Sequence, residues 1–312
     1  MIIQTTIFDF ISTKLKVLEL FGGIGACTAA LKRLGIDFEV VDYVEIDKYA
    51  VASYNAINKT NFEPQDITNW DKDIEVDLIM SGSPCQDFSL AGLGKGGDKG
   101  SGTRSSLMYE TIRIVEKLKP KYVIWENVKN LLSKKHKHNF DDYLEALDEL
   151  GYNNYYQVLN AKDYGIPQNR ERVFTISIRK DINNLFTFPQ KQNLKLCVKD
   201  LLEKNVDDCY YKVCSSMVKE FENSKGKVKE VTNKKYCNTI TTKQTRWNNA
   251  GMIVDFKGLR YMTPKECFKF MGFTDEDFEK AAKVNSKTQL YKQAGNSIVV
   301  NVLMAIFNNL LN

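Results

Sequence analysis

Along the first 180 residues, short apolar runs alternate with stretches whose apolar residues recur at helical spacing. Residues 16–20, 38–44, 77–81, 121–125, 155–160 and 173–178 are compact and rich in Val, Ile, Leu, Tyr and Phe, the pattern of buried strands. Between them, residues 26–34, 48–57, 105–119 and 140–150 carry apolar positions three and four apart, and Pro120 and Gly151 close the last two. Strand–helix alternation predicts an α/β chain with a doubly wound, Rossmann-like sheet. From about residue 183 that rhythm stops, and residues 186–258 are polar and lysine-rich with short β-like pieces. A second, smaller, mainly β domain is expected there. Order returns where Thr263 can cap a helix with Pro264 at its first position, running to about Met271, and again in an apolar helix over 298–311. The expected division is 1–185, 186–285 and 286–312, the last returning to the first.

Bulk properties narrow the class. A chain of 312 residues, 43% hydrophobic and 27% charged, can bury a sizeable core. No run approaches the roughly 20 apolar residues of a membrane span, and residues 1–18 lack the basic start and cleavage site of a secretory signal. The expectation is a cytoplasmic protein with no membrane partner. Seven cysteines without a CxxC pair read as reduced thiols. Both histidines, His136 and His138, fall in a lysine-rich run far from any cysteine pair, so no metal site is expected and the run reads as a solvated basic loop. Net charge is only +5, yet residues 211–265 hold twelve Lys and Arg against four acids. A basic lobe on a nearly neutral body is the footprint of a polyanion binder, although a solvated face has the same composition.

The candidate chemistry sits at strand ends. The first strand runs into Phe21-Gly-Gly-Ile-Gly25 and then a helix, an arrangement that brings a nucleotide to a helix N-terminus. The dinucleotide fingerprint is not met, because Thr28 stands where its third glycine would be. Glu45 lies about twenty residues on at the second strand's tip, the offset of a ribose-binding acid, and Asp66 precedes the next loop. Acids with an aromatic at the mouth suit a cationic adenosine better than a pyrophosphate. Gly82-Ser-Pro-Cys-Gln-Asp-Phe-Ser89 then delivers Cys85 to a turn at a strand end, followed by a Gly- and Lys-rich loop, 91–104, that reads as a lid. A free cysteine is also commonly a small buried hydrophobe. Glu126-Asn127-Val128 ends another strand, and Arg170 and Arg172 alternate after Gln168 on the next. Such an arginine fork suits planar oxygen acceptors, and two surface arginines on an edge strand would look the same. Residues 238–249 are rich in Thr, Asn, Gln and Arg, the side chains that read base edges and hold phosphates.

Taken in order, these segments resemble the DNA (cytosine-5) methyltransferases of bacterial and phage restriction-modification systems over nearly the whole chain. Phe21-Gly-Gly-Ile-Gly25 resembles the family's cofactor loop, Pro84-Cys85-Gln86 its nucleophile motif, Glu126-Asn127-Val128 its second catalytic motif, and Gln168, Arg170 and Arg172 its Q-x-R-x-R strand. Arg260 to Glu266 matches its R-x-x-T-P-x-E segment and Gly295-Asn296-Ser297 its last motif. The resemblance implies S-adenosylmethionine as cofactor, with S-adenosylhomocysteine as product. Phe21, Gly23, Gly25, Glu45, Ile46, Asp66, Pro84, Leu107 and Asn296 would hold it. It implies Cys85 as the nucleophile at carbon 6 of a flipped cytosine, with Glu126, Asn127, Arg172, Arg170 and Gln168 completing the catalytic set and no metal. The segment before Arg260 resembles the target-recognition region, and Ser89, Lys225, Lys227, Lys229, Thr241 and Arg246 are its candidate DNA contacts. The expected partner is double-stranded DNA, bound by a monomer, with a cognate endonuclease encoded elsewhere. One departure stands out: Ser83 occupies a position where the family usually has Phe, a change expected to be tolerated. Rival readings are a tRNA cytosine-5 methyltransferase and a catalytically silent, sequence-specific DNA-binding protein. A nicotinamide oxidoreductase fits only the first strand, turn and helix.

Overall fold

The computed structural model describes residues 14–84, 98, 100, 102, 104–183, 185–223, 229–246 and 249–311. Strands and helices alternate as β1 (Leu15–Leu20), α1 (Ala26–Leu34), β2 (Phe38–Val44), α2 (Lys48–Asn58), β3 (Leu78–Ser81), α3 (Met108–Leu118), β4 (Tyr122–Val128), α4 (Lys137–Glu149), β5 (Tyr152–Asn160) and β6 (Glu171–Arg179). They form one six-stranded sheet in the order β2-β1-β3-β4-β6-β5. The pairs β1–β2, β1–β3 and β3–β4 are parallel, whereas β6 runs antiparallel to both β4 and β5. This is the mixed α/β, Rossmann-like sheet that the strand–helix rhythm predicts.

Both faces of the sheet are covered, which is why its strands read as nearly continuous apolar runs. Val17, Met80, Ile124 and Ile176 pack on one face with Ala30 and Leu31 of α1. Leu18, Ile79, Val123 and Trp125 pack on the other with Ile114 of α3 and Tyr143 of α4. Successive strand residues therefore serve opposite cores. In β4, Trp125 belongs to the α3/α4 side, so Glu126 points to the α1 side.

Past the sheet come α5 (Ser215–Glu222), β7 (Ile253–Asp255), β8 (Gly258–Arg260), α6 (Pro264–Phe270), α7 (Asp275–Ala282), α8 (Lys287–Asn296) and α9 (Val300–Leu310). The last helix returns to pack on α1, with Leu303, Ile306 and Phe307 joining the same core. Thr263 caps α6 in a reciprocal capping box with Glu266, as its spacing predicts. Thr274 and Asp277 cap α7 the same way, a signature just as legible in the sequence. In the second lobe the β-like pieces are too short to build much sheet. Among the described residues its regular sheet is the β7–β8 hairpin, supplemented by isolated bridges Gln168–Cys237 and Glu230–Met252. Arg260 holds that hairpin to α6, donating to both carboxylate oxygens of Glu266 and to Asp255 at 2.8–2.9 Å.

The histidine run differs from the solvated loop expected of it. His136 is buried at the start of α4, and His138 pairs with Asp98 at 2.7 Å. α4 begins at Lys137, three residues earlier than periodicity suggests, which places His136 at its N-cap.

Candidate active site

Four strands end at one edge of the sheet, and the candidate groups at their tips converge there. The turn after β1 is strained: Phe21 has φ 53, a left-handed conformation rarely held by a non-glycine residue and one that surrounding structure must enforce. Gly25 is required for two reasons. Its φ is +84, and a Cβ there would lie 2.8 Å from the Tyr54 ring. Glu45 at the tip of β2 accepts from the Gly23 N–H at 3.1 Å and from the Asp47 N–H at 2.8 Å, which fixes the turn against the second strand. Burial raises the Glu45 carboxyl above its ordinary value, with those backbone donors opposing the rise.

A pocket opens over this turn, lined by Phe21, Gly22, Gly23, Glu19, Asn296 and, from β4, Glu126. Glu19 is not marked by strand patterning, although an acid between Leu18 and Leu20, just before the glycines, is a visible signal. It is almost wholly buried and accepts hydrogen bonds from the Thr28 hydroxyl and, at 3.2 Å, from Tyr54. Burial pushes its carboxyl up to about 7. The folded chain thus holds this proton more tightly than the unfolded chain does, so ionising Glu19 destabilises the fold. Stability is lost as pH rises from about 4.5 to about 7, by roughly 3 kcal/mol from this group alone. Glu19→Gln is expected to flatten that part of the stability–pH curve in urea melts; an unchanged curve refutes it. A cation in the pocket would offset the same cost, which suits a sulfonium or ammonium ligand.

On the far side of the pocket, Glu126 pairs with Arg172 across antiparallel β4 and β6 at 3.0 Å, both largely shielded from solvent. Burial raises the Glu126 carboxyl, while Arg172 and then Arg170 pull it back. The result is an acid able to hold a proton beside a fixed guanidinium.

The remaining residues separate into two groups. Asn127 donates to Ser83 beside Trp125, on the opposite face from Glu126. Gln168 has no exposed surface and clips the lobes together, donating to the Phe270 carbonyl at 2.7 Å and accepting from the Ile240 N–H at 2.9 Å. Arg170 donates to the carbonyls of Ile240, Gly295 and Ser297 at 2.9–3.0 Å, which ties the segment before Arg260 to the C-terminal end of α8. A Cβ on Gly295 would come within 2.4 Å of the Thr241–Thr242 backbone, so only glycine allows this approach. Gln168 and Arg170 are placed as struts, and Arg172 is the one of the three that meets Glu126. Ile46 is 67% exposed beyond the pocket rim, Asp66 caps the turn Ile67–Asn69 from an exposed position, and Leu107 packs against the α3/α4-side core. Pro84 is half-buried at the end of the described β3 exit. Cys85, Ser89, Lys225 and Lys227 lie outside the described residues, as does most of the 91–104 loop.

In the segment before Arg260, Lys229 and Arg246 are exposed, and the Thr241 hydroxyl donates to the Lys243 carbonyl. Two polar side chains of a type suited to base reading are spent internally. Gln244 is buried on the Thr241 carbonyl and Asn249 on the Gln244 carbonyl. No group of three or more His, Cys, Asp or Glu placed to hold a metal occurs among the described residues, and none of their helices is long and apolar enough to cross a membrane.

The family profile described as C-5 cytosine-specific DNA methylase matches residues 15–312. Type II methyltransferase M2.ScrFI of Lactococcus lactis subsp. cremoris is 38% identical, covering 95% of this chain and 99% of its own. Type II methyltransferase M.Bsp6I of a Bacillus species is 37% identical over 95% and 98%. Among solved structures, a Spodoptera frugiperda DNMT2 variant superposes with a TM-score of 0.79 at 22% identity, over 96% of this chain and all of that one.

Proposed function

Because this chain belongs to the C-5 cytosine-specific DNA methylase family, and is a DNA (cytosine-5) methyltransferase of the restriction-modification type, we propose that it forms 5-methylcytosine within a specific duplex sequence through covalent attack by Cys85. One observation carries the reading: the glycine-turn pocket and the Glu126–Arg172 pair are a single site, since Glu126 lines that pocket beside Phe21 and Asn296.

Carbon 5 of cytosine is too weak a nucleophile to take a methyl group unaided. Addition of the Cys85 thiolate at carbon 6 makes the ring an enamine. A free thiol has a pKa of about 8.5, so attack must be coupled to loss of its proton. Glu126, whose hold on a proton burial strengthens, donates at ring nitrogen 3 as electron density arrives there, and Arg172 holds the adjacent carbonyl oxygen. S-adenosylmethionine would supply an electrophilic methyl group on a sulfonium. Phe21, Gly23, Glu45 and Asn296 would hold it at the glycine turn, and the buried Glu19 suits its positive charge. Loss of the carbon 5 proton then expels Cys85. A stacked base is out of reach of these groups, so the target is flipped out at an unstacking cost of a few kcal/mol.

The recognition lobe supplies the DNA contacts, and we place the boundary between it and the catalytic domain near residue 186. Replacing Lys225, Lys227 and Lys229 with glutamine is expected to weaken duplex binding and lower the log–log salt slope by about 0.9 for each phosphate no longer neutralised. An unchanged slope removes that stretch from the interface.

Methyl transfer to duplex DNA and to tRNA, measured side by side, tests the assignment. Bisulfite sequencing of DNA from expressing cells should show one recurring methylated sequence. Activity confined to tRNA would overturn the choice of substrate.

A further inference from the structure

We propose that Ser83 is a positioning residue for the nucleophile turn, locking it to β4 through the indole of Trp125 and the amide of Asn127. The inference rests on the reading of Cys85 as nucleophile. Parallel pairing of β3 and β4 sets Ser81 against Trp125, and continuing that register brings Ser83 opposite Asn127 on the same face of the sheet. Ser83 is 3% exposed. Its hydroxyl accepts from Trp125 Nε1 at 2.8 Å and from Asn127 Nδ2 at 3.3 Å.

Neither donor is free to turn away. The Trp125 ring stacks on Tyr143 with centroids 4.0 Å apart and on Phe140 at 6.1 Å, so its N–H direction is set by packing. Asn127 is 1% exposed, and its Oδ1 accepts from the Val128 N–H at 2.8 Å, which leaves Nδ2 facing Ser83. The Trp125 N–H needs a buried acceptor, and the hydroxyl of Ser83 provides it where a phenylalanine side chain would provide none, while Asn127 also reaches the Ser83 carbonyl at 3.5 Å. The departure from the family's usual residue is thus matched by a local partner.

The lock bears on catalysis through the two residues nearest it, Pro84 and Glu126. Pro84 fixes its own φ and restricts the backbone of Ser83, so the setting of Ser83 passes stiffly along the chain towards Cys85. Glu126 lies between Trp125 and Asn127 and points to the opposite face. One segment of β4 therefore holds the proton donor on one side and grips the nucleophile turn on the other. The grip fixes the chain at Ser83, two residues before Cys85, and misplacement of reacting groups by an ångström can cost about a hundredfold in rate.

The test is the single-turnover rate of covalent adduct formation with duplex DNA carrying 5-fluorocytosine, alongside DNA affinity, cofactor affinity and melting temperature. Ser83→Ala is expected to slow adduct formation roughly ten- to hundredfold with both affinities held within about twofold, and Ser83→Thr to restore the rate. In the double variant Ser83→Ala/Trp125→Phe the loss should not exceed that of the worse single variant, because both remove the same hydrogen bond. Adduct formation by Ser83→Ala at the wild-type rate overturns the proposal. So do losses that multiply in the double variant, or a loss that tracks DNA affinity. Should Ser83→Ala fail to fold, Trp125→Phe keeps the stacked ring and deletes only the N–H side; a wild-type rate there overturns the proposal equally. If the wild-type protein itself forms no adduct, the nucleophile reading fails and this inference with it, whereas a wild-type adduct with an unaffected Ser83→Ala rate removes only the inference.

Discussion

Replacing Cys85 by serine is expected to abolish the covalent adduct with 5-fluorocytosine DNA and to lower methyl transfer by roughly four orders of magnitude or more. A serine hydroxyl has far too high a pKa to add to carbon 6 without a strong base, and the acids of the described pocket lining, Glu19 and Glu126, are carboxyls, which are weak bases. A thiol does line the described pocket. Cys27 is buried against the glycine turn, and burial, with Glu19 adding to it, pushes its pKa well above the ordinary thiol value. It is therefore a protonated, inert sulfur. Cys237 and Cys267 are buried and similarly raised, and Cys197, Cys209 and Cys214 belong to the second lobe. Denaturing electrophoresis of trapped complexes reads the result directly. A persistent adduct in Cys85→Ser would move the nucleophile to another thiol, whereas loss of the adduct with intact cofactor and DNA binding assigns the step to Cys85.

How far the sequence could be read depends on the range over which each signal acts. The limits of α1 and β2 match the apolar pattern residue for residue, because strand and helix periodicity are local and both faces of the sheet are buried. Glu126 is legible as a strand-end acid for the same reason. Its pairing with Arg172 is not, because that contact depends on β6 running antiparallel beside β4, which an expectation of parallel strand–helix units does not supply. Gln168 and Arg170 show the limit more sharply. The residue types are right for a site, but their partners, Phe270, Ile240 and Gly295, lie 70 to 125 positions away, and packing turns both side chains into struts. Glu19 escapes sequence reading for the opposite reason: its signal is local, but an acid inside an apolar strand is easily passed over as pattern noise. The second lobe shows its charge in the sequence and not its structure, because short β-like pieces meet through single bridges and side-chain bonds that no periodicity encodes.

Glu126→Gln is expected to reduce the methyl-transfer rate by roughly 10²- to 10⁴-fold while changing duplex affinity little. Glutamine keeps the shape of the side chain and can point an N–H at ring nitrogen 3, but it has no proton to give as the enamine forms. The pH dependence separates this role from simple recognition. Burial raises the Glu126 carboxyl, and Arg172 and Arg170 limit the rise, so the protonated form persists to higher pH than in an exposed glutamate. Wild-type turnover should then fall as pH climbs through that raised value, since deprotonation removes the donor. In Glu126→Gln that fall should be missing, leaving the opposite trend in which rising pH favours the Cys85 thiolate. Single-turnover rates measured upward from the ordinary carboxylate range decide it. If the variant and the wild type lose activity in parallel as pH rises, the titrating group is not Glu126, and the carboxyl acts by holding Arg172 in place at 3.0 Å. If the fall disappears with the carboxyl, the proton at nitrogen 3 comes from Glu126.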